Sequence, residues 1–146
     1  GAVRGVLQPL LAEQVEHIHI VNRTVEKAIV LSEVFEQFGS LSAGSYQDLS
    51  QAGSYDVIIN ATASSLSGDL PPLVDSILGD GVHAYDMMYA AEPTVFERWC
   101  TENSVASVSN GLGMLVEQAA ESFSIWRGVR PQTDAVLAAL TQQLKG

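Results

Sequence analysis

The sequence has one cysteine, Cys100, so no internal disulfide can form and the chain suits a reducing compartment. Basic residues are scarce as well: 7 Lys+Arg stand against 17 Asp+Glu, a formal net charge of -10. Nucleic-acid binding rests on clustered positive charge, so no nucleic-acid partner is expected. Three scattered histidines and the lone cysteine offer no metal-ligand spacing. No stretch approaches the roughly 18 unbroken apolar residues of a membrane span, and no basic segment leading into an apolar run marks a signal peptide. The expectation is a cytoplasmic protein with no membrane partner. Internal repeats and low-complexity tracts are lacking too. The chain opens without methionine, in "GAVRGVL", and reads as the middle of a longer protein.

What is present is an ordinary globular composition, 47% apolar over 146 residues, enough for one domain with a sizeable core. "VRGVLQPLLAEQ" spaces its apolar residues as a helix, "HIHIVN" alternates as a short strand, and "TVEKAIVLSEVFEQF" returns to helical spacing, with Thr24 as N-cap and Gly39 closing it. "SAGSY" reads as a short strand. "YDVIINAT" is an apolar run of the kind buried on both faces, and "SSLSGDLPP" is a loop. "GVHAYDMMY" and "SVASVSN" read as strands flanking a helix, "PTVFERWCTEN", in which Cys100 takes a half-buried, unreactive position. Two helices, "GLGMLVEQAAESFSIWRG" and "TDAVLAALTQQLKG", finish the chain. Strands alternating with helices imply an α/β fold with a mainly parallel sheet.

In open α/β sheets ligands gather at the carboxyl ends of the strands, which here end in Asn22-Arg23-Thr24, Asn60-Ala61-Thr62, Met87-Met88-Tyr89 and Asn110-Gly111. The first tail is the most informative. A site for NAD usually places an acid there to bind the ribose 2′-hydroxyl, whereas a site for NADP supplies arginine for the 2′-phosphate. This chain places Arg23 there, with Lys27 one helical turn on. A guanidinium can fork onto phosphate oxygens, and Thr24 can add a hydroxyl donor. The competing reading is a solvated face on which Arg23 and Lys27 balance Glu26 and Glu33.

Taken in order, "NRT", "NAT", "YDMMY" and "NGLGMLVEQAAESF" resemble the shikimate dehydrogenase family over essentially the whole chain. The resemblance implies a Rossmann-like, doubly wound, mainly parallel sheet with flanking helices, truncated at its N-terminus. It implies reversible reduction of 3-dehydroshikimate to shikimate by NADPH, on the way to chorismate and the aromatic amino acids. It also implies that residues 1–146 are the NADP-binding domain alone. Its last helix, about 131–145, would pack toward an N-terminal domain that holds the catalytic Lys and Asp, leaving no catalytic residue in this chain.

Position by position, the resemblance assigns the NADP(H) 2′-phosphate to Asn22, Arg23, Thr24 and Lys27, and the pyrophosphate to Gly1 and Ala2 at the end of a glycine-rich loop. Thr62 would line the cofactor, Met87 would pack near the nicotinamide, and Gly111 would contact it through the backbone. Tyr89 and Gln118 would reach the hydroxyl or carboxylate groups of shikimate or 3-dehydroshikimate. Asp86 reads as ordering the loop backbone rather than as a general acid. "NATASS" departs from the family's pattern by placing Ser65 where glycine is common. A homodimer is compatible with all of this. Two alternatives stand beside it: a non-catalytic NADP(H)-binding module, and a quinate/shikimate dehydrogenase of broader specificity. The module reading is the weaker, because the absent first strand is central in the usual 3-2-1-4-5-6 order.

Overall fold

The computed structural model describes residues 2–62, 64 and 68–144. The chain divides into two compact units, Gly1–Tyr55 with Pro71–Gly79 and Asp56–Leu70 with Asp80–Gly146.

In the first unit helix α1 (Ala2–Ala12) leads to strand β1 (Ile18–Val21), helix α2 (Val25–Phe35), strand β2 (Leu41–Gly44) and a 3-10 turn (Tyr46–Gln51). Strands β1 and β2 run parallel, with Ile18 opposite Leu41 and Val21 opposite Gly44. The two-residue period of a strand sends Ile18 and Ile20 to one face and His17 and His19 to the other. Ile20 joins Leu7 and Leu11, one turn apart on α1, and Ala28 and Phe35 on α2, in a core flanked by Ile18, Leu31, Leu41 and Ala43. Removing one of these leucines to alanine costs about 2–5 kcal/mol. That core fixes the direction in which β1 delivers Asn22-Arg23-Thr24.

Strands β3 (Tyr55–Asn60), β4 (Leu78–Asp86) and β5 (Ser107–Asn110), in the second unit but for Tyr55, Leu78 and Gly79, form a sheet in the order β3-β4-β5. Strands β4 and β5 are parallel, and the register pairs Asp86 with Asn110 at their carboxyl ends. Alternation along β4 buries Val82, Ala84 and Asp86. Helix α3 (Val95–Glu102) starts from a capping box between Thr94 and Glu97 and buries Phe96 and Cys100 one turn apart. Helix α4 (Leu112–Arg127) buries Leu112, Val116 and Ala120 at i, i+4 and i+8, then stops at Gly128, whose φ of 72° is the left-handed cap. Helix α5 (Asp134–Leu144) packs on α4. At that junction Arg130 pairs with Glu117 at 2.8 Å and with Glu121, contacts too exposed to add much stability.

Two expectations change. "YDVIINAT" does form a strand, but Val57 is 55% exposed and only Asn60 within β3 is buried. Apolar composition records a tendency to be covered, and coverage itself depends on neighbours the run does not specify. Cys100 is fully buried rather than half-buried; burial, then the nearby Asp86 and Glu97 carboxylates, push its thiol up to about 11. Both effects disfavour the thiolate that a reactive cysteine needs. Among the described residues no helix is long and apolar enough to cross a membrane.

Candidate functional site

At the end of β1, Asn22 turns the chain: its Oδ1 accepts the Thr24 N–H at 2.9 Å, an Asx turn, while its own N–H donates to the Gly44 carbonyl at 3.4 Å. Thr24 occupies the N-cap of α2, as expected, but its hydroxyl makes no capping bond there. Asn22 satisfies only the Thr24 N–H, and the Lys27 N–H turns to the Thr24 carbonyl at 3.0 Å.

Arg23, Thr24 and Lys27 are all exposed. Among the described residues neither Arg23 nor Lys27 forms a direct ion pair with Glu26 or Glu33. Asn22 and Arg23 line a cavity of about 500 Å³ whose other walls include Val25, Tyr46, Pro72 and Val74. Thr24 and Lys27 lie outside that lining. The Tyr46 hydroxyl is pushed up by burial, with the Arg23 charge pulling the other way, so ring and guanidinium share one environment. Ser45 and Asp48 shape the turn that carries Tyr46: Asp48 Oδ2 accepts the Ser45 N–H at 2.8 Å and its hydroxyl at 2.6 Å. These bonds, with a smaller contribution from His19, hold the Asp48 carboxyl below its ordinary range. Tyr46, Pro72 and Val74 had no signal in the sequence, since Pro72 and Val74 return from a distant loop.

Under this rim His17 and His19 hydrogen-bond across to β2. Ser42 Oγ lies 2.6 Å from both His17 Nε2 and His19 Nδ1, and Ser40 Oγ lies 2.7 Å from His17 Nδ1. His19 stacks on Tyr55, and its buried Nε2 has no hydrogen-bond partner among the described residues. Burial, then the His17 charge, lower the His19 pKa, while Asp48 opposes them.

In the second unit a chain of hydrogen bonds ties three strand tails. Asn60 Oδ1 accepts the Thr62 N–H at 3.2 Å and its hydroxyl at 2.8 Å, while Asn60 Nδ2 donates to Asp86 Oδ1 at 3.1 Å. The same Asp86 oxygen accepts the Met88 N–H at 3.0 Å, and Oδ2 accepts the Thr94 hydroxyl at 2.6 Å. Asp86 is fully buried and orders the loop backbone, as its setting in "YDMMY" suggested. Main-chain bonds add to this frame: Met87 N–H to the Asn60 carbonyl at 2.8 Å, and Gly111 N–H to the Met88 carbonyl at 3.1 Å.

Met87, 4% exposed, and Gly111 are therefore buried side by side on this rim. Thr62 and Tyr89 are half-buried, and Gln118 is exposed on α4. Ala2 is exposed at the first turn of α1, whereas Gly1 and Ser65 lie outside the described residues. The structure thus brings together Asn22 with Arg23 in one unit, and Thr62, Met87 and Gly111 along one frame in the other.

The family model for "Shikimate / quinate 5-dehydrogenase" matches residues 2–67, and that for "Shikimate 5'-dehydrogenase C-terminal domain" matches residues 111–141. The chain belongs to the shikimate dehydrogenase family. It is 51% identical over 144 residues to the shikimate dehydrogenase (NADP(+)) of Cellvibrio japonicus, covering 99% of this chain and 52% of that protein. It is 53% identical over 145 residues to the enzyme of the same name from Chromohalobacter salexigens, again 99% and 52%. Among solved structures, an Ael1 enzyme from Pseudomonas putida superimposes with a TM-score of 0.83 at 41% identity, over 96% of this chain and 51% of that one. The chain thus spans about half the length of the curated relatives it matches. As in those relatives of solved structure, the fold is α/β and Rossmann-like, with parallel strands and flanking helices.

Proposed function

We propose that this chain is the cofactor-binding part of an NADP-dependent shikimate dehydrogenase, which interconverts 3-dehydroshikimate and shikimate in aromatic amino acid biosynthesis. One observation carries the cofactor choice: Arg23 stands at the tail of β1, free of ion pairs among the described residues, on the wall of a cavity. An arginine there, with no acid at the strand end, suits a 2′-phosphate and not a bare ribose hydroxyl. The apolar surfaces of Val25, Pro72 and Val74 and the ring of Tyr46 suit a flat heterocycle such as adenine. The residues present fit the adenosine end of NADP(H). The relatives named above carry NADP(+) in their own names.

The bound cofactor would supply or accept the hydride. Asn22 and Arg23 hold the phosphate end, with Thr24 and Lys27 adding donors at the start of α2, and Ala2, at the first turn of α1, meets the pyrophosphate. On the second rim Thr62 lines the cofactor, Met87 packs beside the nicotinamide and excludes water, and Gly111 offers its backbone. Tyr89 and Gln118 meet the hydroxyls and carboxylate of the substrate, since both side chains donate and accept. Proton transfer at the alcohol falls to groups outside these residues. A cytoplasmic setting suits the single, buried Cys100.

The test is turnover of shikimate with NADP+ by the full-length protein, followed by appearance of NADPH. Robust reduction of NADP+ supports the assignment. No turnover of shikimate by folded protein with either nicotinamide cofactor would remove it.

A further inference from the structure

Glu97 lies on α3 and hydrogen-bonds to none of the residues assigned to cofactor or substrate, yet its carboxylate joins two parts of the second rim. Oε2 accepts the Thr94 N–H at 2.6 Å, and Oε1 accepts Asn110 Nδ2 at 3.1 Å. Held this way round, Asn110 presents Oδ1 to the Leu112 N–H at 3.2 Å, where α4 begins. Between them Gly111 donates its N–H to the Met88 carbonyl at 3.1 Å. On the other side Thr94 reaches Asp86, which holds the Met88 N–H.

We propose that Glu97 is a positioning residue: by fixing which way the Asn110 amide faces, it sets the Gly111–Leu112 backbone against Met88. The inference rests on the reading above, in which that backbone meets the nicotinamide. It follows from donor and acceptor inventory. A carboxylate only accepts, so the Asn110 amide nitrogen must face it and the amide oxygen is left for Leu112. The Glu97→Gln side chain offers one acceptor. If that acceptor keeps the Thr94 N–H, the new amide nitrogen faces Asn110, which must turn its oxygen toward it. Asn110 then presents a donor to the Leu112 N–H, and the start of α4 loses its partner.

Exchanging both residues restores the pattern. A carboxylate in place of the Asn110 amide accepts from the introduced glutamine and from the Leu112 N–H alike. The experiment compares the full-length protein, Glu97→Gln, and the double variant Glu97→Gln with Asn110→Asp. Amide hydrogen exchange at Leu112 is read beside kcat and KM for NADP+. In Glu97→Gln, Leu112 should exchange faster and kcat should fall about tenfold or more, with KM within about twofold. The double variant should recover both. Unchanged exchange in Glu97→Gln, faster exchange with unchanged kcat, or no recovery in the double variant would each overturn the proposal. Absence of shikimate turnover by the parent would remove the functional reading instead, and the Leu112 exchange series would still decide whether Glu97 sets Asn110.

Discussion

The Met87 carbonyl carbon stands 2.7 Å from where a Cβ on Gly111 would lie, and its oxygen is nearer still, so no other residue fits position 111 without moving backbone. The contact is with main-chain atoms, and no rotamer change can relieve it. Gly113, two residues on, has nothing among the described residues within 4 Å of its own Cβ position. Gly111→Ala should therefore destabilise the protein by about 1–3 kcal/mol, while Gly113→Ala, inside α4, should stabilise it by about 0.5–1 kcal/mol. Denaturant midpoints of the two variants check this. Equal shifts of the same sign would show that the close approach is not maintained.

Asp86 is the second test of the same rim. Three donors, from Asn60, Met88 and Thr94, converge on its carboxylate with no solvent access. Asp86→Ala takes this acceptor from the buried Thr94 hydroxyl, the part-buried Met88 N–H and the Asn60 amide, at about 1–3 kcal/mol for each donor left unsatisfied, so a loss of about 2 kcal/mol or more is expected. A loss below about 1 kcal/mol in urea unfolding would mean that water reaches these donors.

His19 predicts a pH dependence. Its folded pKa is depressed below the ordinary 6.5, chiefly by burial, with His17 adding to the shift and Asp48 opposing it. Below pH 6.5 the unfolded chain binds the proton more readily than the folded one, so stability should fall with pH there and level off once folded His19 is protonated. Protonation would also leave an N–H at the buried Nε2 with no acceptor among the described residues. His19→Gln should flatten the slope of unfolding free energy against pH in this window. An unchanged slope would assign it to other groups.

Much of this architecture was legible from periodicity. His17 to Val21 alternate and Val25 to Phe35 repeat at helical spacing because local geometry dictates which residues share a face. The tails Asn22-Arg23-Thr24 and Asn110-Gly111 are legible for the same reason, since a strand's end can be read from where its alternation stops. Less visible were relations between residues far apart in sequence. Tyr46, Pro72 and Val74 converge on Arg23 through folding of a loop, and Glu97 meets Asn110 across α3 and β5. The Thr94–Glu97 capping box is readable as T-x-x-E, whereas nothing in the sequence shows that the Thr24 hydroxyl makes no capping bond at the start of α2.

The proposed substrate contacts of Tyr89 and Gln118 are tested by truncating each side chain. Tyr89→Phe and Gln118→Ala in the full-length protein should each lower kcat/KM for shikimate about 5- to 150-fold, the effect of leaving a polar substrate group without its partner. Neither should change the NADPH dissociation constant by more than about twofold. Steady-state kinetics with fluorescence titration of NADPH separate the two effects. Unimpaired shikimate turnover in both variants would make these residues structural.

The central claim, that Arg23 grips a 2′-phosphate, is tested most directly by the dissociation constants of NADPH and NADH for the full-length protein and its Arg23→Ala variant. The cofactors differ only in that phosphate, so they isolate the contact. Loss of a charge-assisted hydrogen bond, about 1.5–3 kcal/mol, should weaken NADPH about 10- to 150-fold and leave NADH nearly unchanged. Equal weakening of both, or of neither, would contradict the account and return Arg23 to the solvated surface.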